Sequence, residues 1–92
     1  MHIRWTTPAA QDLTSISDYI SEREGPALAR RVALAIFEHV DALTVFPRRG
    51  RSGRVRDTRE LVISGLPYLA VYRLKGDVIE VARVLHGAQQ WP

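Results

Sequence analysis

TRELVISGLPYLAVYRLKGDVIEVARVLH, residues 58–86, is the stretch that decides the fold. It divides into three runs rich in β-branched and aromatic residues: Thr58–Ile63, Tyr68–Leu74 and Val78–His86. Gly, Pro and Asp fall only between the runs, in Ser64-Gly65-Leu66-Pro67 and in Lys75-Gly76-Asp77. Such runs with such punctuation predict strands joined by turns. The connections are too short for a crossover, so neighbouring strands must be antiparallel and the stretch is a three-stranded meander. In the second strand Leu69, Val71 and Arg73 alternate with Tyr68, Ala70, Tyr72 and Leu74. In the third, strict alternation puts Ile79, Val81, Arg83 and Leu85 on one side and Val78, Glu80, Ala82, Val84 and His86 on the other. Both faces are largely apolar. One is expected to meet helices, and the other to be a half-apolar surface that suits a protein partner.

Upstream of the meander the pattern changes. Met1–Thr6 alternates, with Ile3 and Trp5 opposite His2 and Arg4, and reads as a short strand joining the same sheet. Thr7-Pro8 reads as an N-cap followed by the first helical position. Ala9, Leu13, Ile16 and Ile20 then form one apolar helical stripe. Gly25-Pro26 is a stop followed by a new start. Leu28, Val32, Ile36, Val40, Leu43 and Phe46 make the stripe of a second helix of about five turns, ended by Pro47. The expected architecture is α+β: an N-terminal strand, an antiparallel two-helix hairpin and a three-stranded meander, β-α-α-β-β-β, in a single domain spanning residues 1–92.

Composition narrows the chemistry. The 92 residues contain no cysteine, which argues against a disulfide framework, a thiol nucleophile or a cysteine zinc site. His2 and His39 lack acidic or histidine neighbours at ligand spacing, so no metal and no cofactor is expected. No apolar run reaches membrane-spanning length and no signal peptide is legible, so a cytoplasmic protein without membrane contact is the expectation. Tyr19, Tyr68, Tyr72, Phe37 and Phe46 are core residues by default, whereas Trp91 reaches a core only if the tail folds back.

Charge is distributed unevenly. The net charge is +3, with residues 1–46 at −2 (four Arg, six Asp or Glu) and residues 47–92 at +5 (eight Arg and one Lys against four acids). Pro47–Asp57, PRRGRSGRVRD, holds five arginines in eleven residues and Val55 as its one large apolar side chain. It is expected to be an exposed, mobile loop leading into the meander. Arginine binds phosphate and carboxylate in a planar fork, so a polyanionic or acidic partner suits the loop, with Arg51, Arg54, Arg56 and the terminal Trp91 as candidate target-binding residues.

The order of these pieces resembles the RelE/ParE toxins of type II toxin–antitoxin systems. The likeness runs through Trp5-Thr6, Asp12-Leu13 and Tyr19-Ile20, then Pro47 with Gly50-Arg51 and Thr58-Arg59-Glu60-Leu61. It continues through Pro67-Tyr68, Val71-Tyr72-Arg73 and Arg83-Val84-Leu85-His86-Gly87, covering essentially the whole chain. The resemblance implies a growth-inhibiting protein neutralised by a cognate antitoxin, which alone carries contact with operator DNA. The family divides into ParE-like poisons of DNA gyrase and RelE-like endonucleases that cut mRNA on the ribosome. Metal-free RNA cleavage needs an acid, a base and cations on the phosphorane. On the nuclease alternative the catalytic candidates are His86, Arg59, Arg73 and Arg83. Two departures favour the ParE side. Leu69 stands where the nucleases typically carry arginine, and the tail Gly87–Pro92 has no tyrosine.

Overall fold

The computed structural model of the chain describes residues Met1–Pro92. Its elements run β1 (His2–Trp5), α1 (Thr7–Glu24), α2 (Pro26–Asp41), a 3₁₀ turn (Ala42–Thr44), β2 (Arg51–Ser52), β3 (Arg59–Val62), β4 (Tyr68–Lys75) and β5 (Val78–His86). The strands form one five-stranded sheet in the order β1-β5-β4-β3-β2. The meander is present, β3, β4 and β5 pairing antiparallel as expected. β1 adds to its far side in parallel, His2 opposite Val78 through Trp5 opposite Val81. β2 adds a fifth strand that the sequence does not announce, pairing Arg51 with Glu60 and Ser52 with Arg59. No helix is long and apolar enough to cross a membrane.

Thr6 is the hinge between β1 and α1, one residue earlier than the Thr7-Pro8 pattern predicts. Its hydroxyl accepts the Ala9 N–H at 3.2 Å, which makes Thr6 the N-cap and moves Thr7 into the helix. The same hydroxyl lies 3.0 Å from the carbonyl oxygens of both Val81 and Ala82, toward which it donates. Those two carbonyls mark a β-bulge. Val71 pairs with Arg83 and Tyr72 with Val81, leaving Ala82 as the extra residue. A bulge reverses the alternation beyond it. Ile79, Val81 and Val84 therefore all enter the helix-side core, while Leu85 turns to the opposite face. The single period expected along β5 is broken at this point.

Gly25 (φ +95°) ends α1 and opens α2, a left-handed-side backbone angle that only glycine takes without strain. The helical hairpin buries Ala9, Leu13, Ile20, Ala29, Val32, Ile36, Val40 and Leu43 against Leu61, Ile63, Ala70, Tyr72, Ile79, Val81 and Val84. Ile16 and Leu28 pack at its margin. Phe46 departs from the expected stripe. The helix gives way to a 3₁₀ turn after Asp41, rotating Phe46 out to 63% exposure. Tyr19 and Phe37 are also exposed, Tyr19 under the guanidinium of Arg23 and Phe37 against Trp5. Of the five aromatics expected in the core, Tyr72 alone is fully buried and Tyr68 is half-buried.

Where β1 stops, β5 has a free edge, and α1 closes it with a carboxylate. Asp12 accepts two hydrogen bonds from the Arg83 guanidinium at 2.7 and 2.9 Å and a third from the Val84 N–H at 2.9 Å. The carboxylate raises the Arg83 pKa through that hydrogen bonding, against an opposing effect of burial. Asp12→Ala removes a bidentate pair and exposes a strand N–H, so urea unfolding is expected to show a loss of about 2–3 kcal/mol at an unchanged m-value.

Candidate functional site

The arginine-rich segment is an ordered margin of the sheet, not a mobile loop. Its path is set by Tyr72, whose side chain is fully buried. The Tyr72 hydroxyl donates to the Pro47 carbonyl at 2.7 Å and accepts the Gly50 N–H at 2.9 Å. Burial raises the Tyr72 pKa, partly offset by the Gly50 hydrogen bond, so the phenol stays protonated and able to donate. Gly50 is required because a Cβ there would lie 2.7 Å from a Tyr72 ring carbon. Arg59 ties the same loop from the other side, its Nη1 donating to the carbonyls of Gly50 at 2.7 Å and Arg48 at 3.2 Å. Gly53 closes the turn by donating its N–H to the Thr58 carbonyl at 2.8 Å.

Two buried glutamates organise the charge on the face of the sheet away from the helices. Glu60, 2% exposed, receives Arg51 at 3.2 Å and both the backbone N–H and the Nε of Arg54, at 3.0 and 3.2 Å. Burial pushes its pKa up, but hydrogen bonds from Arg54 and Arg51 outweigh burial and hold the carboxyl below its usual range. Glu80, 8% exposed, is hydrogen-bonded by Arg4, with Lys75 at 3.3 Å and Arg73 at 3.8 Å. The Arg4 hydrogen bond is the main cause of its lowered pKa, with burial opposing.

On the same face, running from Val71 beside Glu60 toward the far end of β4, lies an apolar strip of Leu69, Val71 and Leu85, and it is not bare. Trp91 folds back over it beside Ala82, with the Arg83 guanidinium 5.6 Å from its ring centroid. The face expected to need a partner is thus covered in part by the chain's own tail.

The residues singled out from sequence scatter accordingly. Arg51 and Arg54 are bound to Glu60, while Arg56 is exposed and makes no ion pair. Arg59 sits opposite Tyr72 on the helix side of the sheet margin. Arg73 belongs to the Glu80 cluster and Arg83 to Asp12. His86 pairs with Tyr68 at the far end of β4, its ring edge-on to that tyrosine at 5.7 Å and its Nδ1 accepting the Ala88 N–H at 3.1 Å. Tyr68 and Arg73 are five residues apart on β4, so His86 and Arg73 are separated by roughly 17 Å along the strand. Sequence reasoning missed Glu60, Glu80 and Asp12, each of which decides where an arginine points. The one legible signal was a lone acid inside an apolar strand run, as in Arg59-Glu60-Leu61 and Ile79-Glu80-Val81.

Comparison with known proteins agrees with this architecture. The sequence model of the family described as "ParE toxin of type II toxin-antitoxin system, parDE" matches residues 3–91. The chain belongs to the ParE toxin family. It is similar to Y4kP, a candidate toxin of Sinorhizobium fredii (strain NBRC 101917 / NGR234), at 47% identity over 98% of this chain and 92% of the relative. Toxin RelE2 of Caulobacter vibrioides is 36% identical, with 92% of this chain and 93% of the relative covered. A solved chain from the chromosomal ParDE TA system of P. aeruginosa superposes with a TM-score of 0.86 at 32% identity, over 94% of this chain and 95% of that one. RelE and ParE names both occur among proteins this similar, so the chemistry must be argued from the site.

The glutamates lend the fold a pH dependence. Both folded-state pKa values are depressed, so their stabilisation is present above the unfolded carboxylate pKa of about 4.3 and is lost as pH falls through the folded values. Urea unfolding from pH 7 to 3 is expected to show falling stability, steepest below pH ~4. Glu60→Gln should be less stable at pH 7 and flatter across the series.

Proposed function

We propose that this ParE-family toxin arrests growth by poisoning DNA gyrase, without RNA cleavage, and is held inactive by a cognate antitoxin. The observation that carries the reading is the dispersal of the groups a metal-free nuclease would use. An acid–base pair and its cations must lie within hydrogen-bond reach of one phosphate. Here Arg83 is engaged by Asp12, Arg73 lies beside Glu80, and His86 is at the other end of the β4–β5 hairpin. A binding mode of action needs surface, not convergence. The arginine margin with Arg51, Arg54 and Arg56, and the Trp91 tail, supply charged and aromatic surface for gyrase or its DNA complex.

An antitoxin fits the surface as well. The similar solved chain comes from a ParDE system. Val45 and Phe46, just beyond α2, expose large apolar side chains beside Arg48 and Arg49 of the cationic margin, and Leu34 and Phe37 expose further apolar surface on α2 itself. An acidic, amphipathic antitoxin segment that orders on binding would cover both. The same resemblance leaves contact with operator DNA to the antitoxin. The 36% identity to a protein named RelE2 keeps mRNA cutting on the ribosome as the alternative that the experiment must separate.

Brief induction in cells, with plasmid DNA and total mRNA extracted at matched times, makes the separation. Linearised plasmid with intact transcripts is the expected result, and His86→Ala is expected to remain as toxic as the parent. Codon-phased mRNA cuts with intact plasmid, abolished by His86→Ala, would replace this reading with ribosome-dependent cleavage.

A further inference from the structure

The ion pairs divide the arginine segment into two populations. Arg51 and Arg54 are neutralised by Glu60. Arg48, Arg49, Arg56 and Arg59 have no carboxylate within ion-pair distance, although they crowd into twelve residues of chain. Three of them, Arg48, Arg56 and Arg59, line an open concavity of about 540 Å³ with Ser52, Gly53 and Thr58. Arg59 spends only its Nη1 on loop carbonyls, which orients the guanidinium and leaves Nε and Nη2 without a protein partner. Asp57 is the single acid on the wall, so the lining carries a net +2 (three Arg, one Asp).

We infer that this concavity is a phosphate site for the backbone of duplex DNA, bound without regard to sequence. Unpaired guanidinium groups on a fixed loop offer the fork geometry that phosphate oxygens accept. The remaining lining decides between classes of nucleic acid. Val55 and Leu74 are its only large apolar residues, and no aromatic ring is available for the base stacking that holds single strands. No Asn or Gln side chain is present to read adenine. Contacts confined to phosphate fix position and carry no sequence information. An acidic protein segment would meet the same charge, but the antitoxin-type apolar surface of Val45 and Phe46 meets the concavity only at its Arg48 rim, beside Arg49, and does not extend to Arg56 or Arg59. The biological use of the site rests on the gyrase reading, since gyrase presents duplex DNA; the binding itself does not.

The test is fluorescence anisotropy of the purified chain with a labelled 20-base-pair duplex of arbitrary sequence, in 50 to 200 mM salt, with no gyrase present. Three or four phosphate contacts give a log–log salt slope of about −2.7 to −3.6. Arg48→Gln with Arg56→Gln is expected to flatten that slope by about 1.8, since each lost contact removes about 0.9. Neither side chain makes a hydrogen bond or ion pair within the chain, so the fold is left intact. Arg30→Gln with Arg31→Gln removes the same charge from α2 and is expected to leave the slope unchanged. Equal flattening by both pairs, absence of duplex binding at 50 mM salt, tighter binding of the corresponding single strand, or displacement of the duplex by polyglutamate at matched charge would each overturn the site. Because the readout contains no gyrase, such a failure leaves the gyrase proposal standing; duplex binding without plasmid cleavage in cells has the opposite meaning.

Discussion

A buried phenol must find partners for its hydroxyl, and in this chain that requirement organises the functional margin. Tyr72 lies in the middle strand of the sheet with its ring in the helix-side core and its oxygen at the margin. The nearest polar backbone belongs to the segment leaving the second helix, so the hydroxyl takes the Pro47 carbonyl and the Gly50 N–H. An otherwise unanchored cationic segment is thereby laid along β3, short enough in register for Arg51 and Ser52 to pair. Everything that gives the arginines direction follows from that anchoring: Glu60 meets Arg51 and Arg54, and Arg59 reaches the loop carbonyls.

The architecture was legible where a residue's role is settled by its neighbours in sequence. Strand runs, the Gly25-Pro26 break and the helical stripes through Val40 follow from local pattern, and the sheet and hairpin match them. What was not legible depends on groups distant in sequence. At the bulge at Ala82, Thr6 satisfies the Val81 and Ala82 carbonyls from across the chain, and no alternation rule applied to β5 can contain that fact. β2 is two polar residues long and exists through Tyr72 and Glu60, not through propensity. Phe46 continues an apolar period that the backbone abandons after Asp41.

The candidate site shows the same division more sharply. Counting arginines shows where positive charge gathers along the chain, but not which of the guanidinium groups are free or that the segment is ordered against β3. That distinction is made by Glu60, Glu80 and Asp12, single acids embedded in apolar patterns and easily read as minor interruptions. Each accepts hydrogen bonds from donors on other parts of the fold. The cationic half of the chain is therefore less uniformly charged than its composition implies, and free positive charge is concentrated beside the Arg48–Arg59 turn.

The parallel pairing of β1 with β5 has a consequence for the life of the chain before it is complete. Arg4 and Glu80 are 76 positions apart, and Asp12 and Arg83 are 71 apart. A nascent chain emerging from the ribosome displays β1 and the helical hairpin long before the strand that pairs with one and clasps the other. Contacts so distant in sequence close late and at a high entropic cost, so the sheet is completed only after β5 has been synthesised. Prematurely terminated products lack β5, the centre of both clasps, and cannot assemble the arginine margin against a finished sheet. In a ParE-family toxin, this topology ties the finished sheet to the synthesis of β5.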